Sequence, residues 1–194
     1  DFISGHKELA EKTNATIVFG PTAAPGYKAH VAYDGEKFRI GNVIIETLHT
    51  PGHSLESTTW LLRDEKENEH AIFTGDTLFI DDVGRPDLVQ KIKSEITPRF
   101  LAGLLFDSLR NKIMPLANTV IVYPGHGAGS PCGKNIAEKI IDTLGEQKKT
   151  NPALNKRLSR KNFIEQSLKG LSEPPAYFPF NIISNLGGAI PQLD

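Results

Sequence analysis

Three short segments constrain this chain more than anything else in it: Thr50-Pro51-Gly52-His53, Thr74-Gly75-Asp76-Thr77 and Tyr123-Pro124-Gly125-His126-Gly127. Each follows a run that reads as a β-strand and breaks into a tight glycine turn. Each then presents one side chain able to bind a metal. A histidine, a carboxylate and a second histidine make a donor set suited to a borderline transition metal. Any one of them alone is ordinary, because a turn histidine usually packs and a turn carboxylate usually caps. The same order of strand, glycine and ligand at three well-separated places predicts a site assembled at the end of a sheet. A zinc finger, whose ligands come in close pairs, does not fit this spacing.

The rest of the pattern supplies the elements for such a sheet. Ala15 to Phe19 reads as a strand stopped by Gly20-Pro21, after a short helix over His6 to Lys12 with Ser4 as its cap and Leu9 and Ala10 inward. Lys37 to Ile40 and Val43 to Leu48 predict a hairpin around Gly41-Asn42. Thr58 to Leu62 and Ala71 to Phe73 flank a charged turn, and Thr119 to Tyr123 is a buried-type strand. Helical periodicity runs through Phe100, Leu101, Leu104, Leu105 and Leu109, and helices are also expected over Ile136 to Leu144 and Lys161 to Leu168. From Ser172 onward, Pro174-Pro175, Pro179 and Gly187-Gly188 read as an extended connection. Clustered strands with flanking helices predict sheets packed face to face with helices outside.

The 194 residues suit a single domain. A net charge of −1 argues against a nucleic-acid surface, and no apolar run approaches the roughly 18 residues that span a bilayer. The one cysteine, Cys132, excludes an intrachain disulfide and fits a reducing, cytoplasmic setting. It follows His126 in a glycine-rich loop, where it reads either as a small buried side chain or as a partly exposed thiol within reach of the metal pocket. Arg85 and Asp87, on the loop after Asp76, read from the residues alone as a loop-bracing ion pair. His6, His30, His49 and His70 lack this turn context and read as surface or packing residues.

Several strings carry a family resemblance: Ala71-Ile72-Phe73-Thr74-Gly75-Asp76-Thr77-Leu78-Phe79, Gly84-Arg85-Pro86-Asp87-Leu88, Pro124-Gly125-His126-Gly127 through Lys134, and Pro175-Ala176-Tyr177-Phe178-Pro179. Over nearly its whole length the chain resembles the metallo-β-lactamase superfamily, and within it the persulfide dioxygenases, especially the bacterial type fused to rhodanese domains. The resemblance implies an α+β fold, an αββα sandwich lacking its first strands, over 1–171, with 172–194 leading toward a possible rhodanese domain. It also implies that Asp1 is the aspartate of the family's His-x-His-x-Asp-His motif, with two histidines expected before residue 1. Phe2 stands where that motif has its last histidine, and phenylalanine cannot ligate. One Fe(II) is therefore implied, held by His53, Asp76 and a histidine outside the chain. Asp1 and His126 remain beside a damaged second site. The implied reaction oxidises a low-molecular-weight persulfide with O₂ to sulfite and thiol, with Arg85 implied to hold a carboxylate of the thiol substrate or to orient a ligand, and Cys132 to accept or shield the persulfide. The alternatives are a zinc thioesterase resembling glyoxalase II, or a metal-poor module without activity.

Overall fold

Runs of β-branched and aromatic residues, separated by a Gly-Asn turn and a charged turn, build the sheet at the centre of the molecule. The computed structural model describes residues 3–88 and 96–187. Two short strands, β1 (Val18–Phe19) and β2 (His30–Val31), pair in parallel. The main sheet has six strands in the order β3 (Lys37–Ile40), β4 (Val43–His49), β5 (Thr58–Arg63), β6 (Glu69–Gly75), β7 (Ile121–Pro124) and β8 (Asp142–Thr143). Pairing is antiparallel except between β6 and β7, which run parallel. The helices are α1 (His6–Thr13), α2 (Pro98–Ser108), α3 (Leu144–Thr150), α4 (Arg160–Leu168) and α5 (Phe178–Gly187).

Register decides which side chains share a face. Leu61 stands opposite Ile72, and Ile72 opposite Val122, so these three project to the same side of the sheet. On that side lies α2, started by the Thr97 side chain, which accepts from the Phe100 N–H at 3.2 Å, and by Pro98 in the first turn. Its apolar period continues through a π-helical turn, Leu109–Ile113. Leu101, Leu105, Leu109 and Ile113 are all fully buried, the last three in one core with Leu61, Ile72, Val122 and Phe163 of α4. Each such burial contributes about 1.5–3 kcal/mol. Truncating Leu105 to alanine would cost about 2–5 kcal/mol, because the void would persist between sheet and helix.

The α+β architecture is the expected one, and the hairpin, the central strands, α2 and α4 lie where the pattern put them. Three local expectations fail. Ser4 does not cap α1, whose N-cap is Gly5 without a side-chain bond, and Leu9 is exposed instead of inward. The helix expected over Ile136 to Leu144 does not form. The Lys134 and Asn135 N–H groups donate to Asp82 Oδ2 at 2.5 and 2.7 Å, and Ala137 N–H donates to the Ile80 carbonyl at 3.1 Å. Residues 142–143 are taken by pairing with β7, and α3 starts only at Leu144, capped by Thr143. Finally, the segment 172–194, expected to be extended, contains α5. Phe178 and Ile182 of that helix pack against Phe79, Leu88 and Cys132 in a second, smaller apolar cluster. Among the described residues no helix is long and apolar enough to cross a membrane.

Candidate metal centre

Strand direction brings the three turns together. β5 is antiparallel to both β4 and β6, and β6 is parallel to β7, so β4, β6 and β7 all point the same way. Their C-terminal ends share one rim of the sheet, and His53, Asp76 and His126 each follow one of those ends. Gly75 pairs with Pro124, and the Gly125 N–H donates to the Gly75 carbonyl at 2.9 Å, which sets Asp76 beside His126. A buried hydroxyl ladder joins the first turn to the second: Thr50 Oγ1 lies 2.8 Å from Thr77 Oγ1 and 3.1 Å from Thr59 Oγ1. Ser108 of α2 donates to the Pro51 carbonyl at 2.8 Å. Close approach requires glycine at two places. A Cβ on Gly84 would lie 1.9 Å from the Asp76 carbonyl oxygen, and one on Gly125 would lie 2.8 Å from Asp76 Oδ1.

Asp76 sits between the two imidazoles, with Oδ2 3.4 Å from His53 Nε2 and 3.4 Å from His126 Nε2. His53 Nδ1 lies 2.9 Å from the Arg85 carbonyl. A carbonyl only accepts, so Nδ1 carries the hydrogen and Nε2 presents its lone pair toward Asp76. Burial lowers the His53 pKa, more strongly than the Asp76 charge raises it, and keeps the ring neutral. Burial alone would raise the Asp76 pKa, but the two histidines offset it and the net shift is downward. The His126 pKa is pushed up to about 10, first by Asp76 and then by Cys132. At 3.4 Å the Asp76 contact is long for a charge-assisted hydrogen bond, so the attraction is chiefly electrostatic.

These residues fit a metal ion. Asp76 Oδ2 is buried without a hydrogen-bond partner, which is costly for a carboxylate oxygen unless a cation satisfies it. Donors sharing one ion through bonds of about 2.1 Å stand roughly 3.0–3.4 Å apart, and both imidazole nitrogens lie at 3.4 Å from that oxygen. Asp76, His126 and Cys132 also have ligand atoms within 4.8 Å of one another.

The remaining sequence candidates fall in three places. Cys132 is 1% exposed, at the back of the site. The Arg85 side chain is 2% exposed and forks onto Asp87 at 2.8 and 2.7 Å. It also donates to the Pro131 carbonyl and to Ser172. Its guanidinium ties three loops together, while its backbone carbonyl orients His53. Asp1 and Phe2 lie outside the described residues. Sequence reasoning missed Thr50, Thr77 and Ser108, since a buried threonine carries no signal of its own. It also missed the cavity of about 520 Å³ that opens onto His53 and Asp76, walled by Phe19, Tyr27, Phe178 and Ile182.

Comparison with solved structures shows the fold. The chain superposes on a metallo-beta-lactamase from Staphylococcus aureus with a TM-score of 0.89 at 34% identity, over 99% of this chain and 58% of that one. The fold is that of the metallo-β-lactamase superfamily. The chain's homologues and structural neighbours are members of that superfamily. The crystal structure of ETHE1 from Myxococcus xanthus matches with a TM-score of 0.75 at 27% identity, covering 96% of this chain and 72% of that one. A probable hydroxyacylglutathione hydrolase of Schizosaccharomyces pombe is 34% identical over 129 residues, 65% of this chain and 44% of the relative. The mitochondrial persulfide dioxygenase ETHE1 of Bos taurus is 28% identical over 154 residues, 79% of this chain and 51% of the relative. The chain spans about half the length of these curated relatives. No protein-family model matches it. The relatives so matched include both a persulfide dioxygenase and hydroxyacylglutathione hydrolases.

Proposed function

We propose that this chain forms the metal-holding part of an iron-dependent dioxygenase that oxidises a low-molecular-weight persulfide. One observation carries the reading. The cavity is lined by His53 and Asp76 but not by His126, so substrate would meet a metal on the His53 side of the carboxylate. The reach of the likeness to persulfide dioxygenase, 79% of the chain, supports the same choice. A neutral imidazole and a carboxylate would supply two of the three ligands of the two-histidine-one-carboxylate set that suits non-haem iron.

In this proposal iron, when bound, supplies the electron transfer between persulfide sulfur and dioxygen. The balanced reaction takes R–S–SH, O₂ and water to R–SH, sulfite and two protons. The chain's own residues hold and orient. His53 Nε2 is held toward the metal position by the Arg85 carbonyl behind Nδ1. Phe19, Phe178 and Ile182 exclude bulk water from the reacting sulfur. Before metal is bound, the proton on His126 balances the charge of the Asp76 carboxylate. A linked rhodanese domain would be the partner that takes the sulfur onward.

A second reading is a two-metal thioesterase, favoured by the equal 3.4 Å spacing of Asp76 Oδ2 to both histidines, which would let His53 and His126 each hold a metal beside the shared carboxylate. Metal analysis with oxygen-electrode assays tests the choice. One iron per chain and persulfide-dependent O₂ uptake are expected. Two zincs with thioester cleavage and no O₂ uptake would sink the dioxygenase.

A further inference from the structure

The cavity over the metal centre has a charge pattern of its own. From the His53–Asp76 end it extends past Phe19, Pro25, Ile182 and Leu186 to the Ser4–His6–Tyr27 corner. At that corner the two nitrogens of His6 meet Ser4 Oγ and Tyr27 Oη, and the His6 and Tyr27 rings stack at 5.4 Å. The far wall is α5, joined to the body where the Gly26 N–H donates to the Leu186 carbonyl at 2.8 Å and the Ser4 N–H to Asn185 Oδ1 at 2.8 Å. Among the described residues that line the cavity there is no lysine and no arginine, and beyond Asp76 the one formal charge is the carboxylate of Glu56. Burial lowers the pKa of His6, so that ring adds no positive charge at neutral pH.

We infer that the cavity selects a thiol carried on a neutral, amide-bearing aliphatic arm and discriminates against peptide thiols with free carboxylates, such as glutathione. The inference rests on the reading of the site as one that takes a sulfur compound. Hydroxyl groups of Tyr27, Ser54 and Ser57 can pair with amides, and the apolar wall takes methylene groups. Among the described lining residues, a carboxylate entering the same space would meet no cation and would stand near Glu56. A metal on His53 and Asp76 does not relieve this, because the sulfur takes that end. Leu186 and Glu56 are the specificity-determining residues: one places an apolar group where a carboxylate would need a cation, and the other repels it.

Calorimetric titration of the whole chain with free thiols tests this apart from turnover, using N-acetylcysteamine as the neutral amide thiol and glutathione as the anionic one. The neutral thiol should bind at least about tenfold more tightly. Leu186→Lys and Glu56→Gln should each narrow that ratio at least about fivefold, since they supply a cation or remove an anion. Equal or tighter binding of glutathione by the unaltered chain overturns the inference. So does a ratio that neither variant moves, or no binding of either thiol. O₂ uptake, measured separately, reports on the dioxygenase reading and leaves the thiol preference standing by itself.

Discussion

The turn after β4 and the turn after β7 place a histidine at the same 3.4 Å from the same carboxylate oxygen, yet they prepare the two rings differently. His53 is buried, neutral and locked in one tautomer by the Arg85 carbonyl. His126 stands by Asp76 and Cys132 with its proton favoured, against the ring of Phe79. One ring is a ready ligand that opens on the cavity. The other must give up a proton before it can ligate. Equal distance therefore does not make equal ligands, because burial and the group behind each ring set which protonation state it holds.

The largest effect should come from the residue both turns share. Asp76→Asn should lower iron occupancy and persulfide oxidation together, by a factor on the order of a hundred, read as metal per chain and initial rate. Activity near that of the unaltered chain would remove Asp76 from the ligand set. The next test separates the histidines. His53→Gln should cost about tenfold or more in metal affinity, and His126→Gln no more than about threefold. Equal losses in metal titrations would break the comparison and point to two metals.

Arg85→Lys should act on the His53 side alone. It keeps the charge but loses the fork to Asp87, so we expect a loss of about 1–2 kcal/mol in chemical denaturation. Metal affinity should weaken with it as the carbonyl behind His53 shifts. A destabilised variant with unchanged metal affinity would separate the loop clamp from the ligand. The last test is a pH slope. In metal-free protein the folded-state pKa of His126 is about 10 against an ordinary 6.5, so protonation favours the fold. That contribution is complete below about pH 6.5 and is lost as pH rises toward 10. The denaturation midpoint should fall across that window, and His126→Gln should flatten the fall. A midpoint that climbs with pH would contradict the protonated His126.

Much of the sheet was legible because its signals are local. The alternation from Val43 to Leu48, the Gly41-Asn42 turn and the apolar period from Leu101 to Leu109 need no distant partner to be read. Where a distant group competes for the backbone, local reading fails. Residues 136–144 have helical composition, yet Asp82 and Ile80 tie down the backbone of 134–137 and β7 pairs with 142–143. The tail reads as a linker from its prolines, yet the apolar cluster of Phe79, Leu88 and Cys132 gives α5 a surface to bury Phe178 against. Helices this short draw most of their stability from packing, and composition does not report the packing partner.

The sequence by itself determined the three metal-competent side chains and the glycine turns that free them, since both follow from residue type. It also carried the family resemblance that the comparisons support. Only the tertiary structure decided how those side chains divide the work. The parallel run of β4, β6 and β7 gathered them on one rim. The Arg85 carbonyl, which any residue at that position would carry, set the tautomer of His53. The cavity charge arose from residues 4 through 186 brought to one place. Orientation, protonation and selectivity depend on which atoms meet in space, and those meetings are made by pairings between segments far apart in the chain.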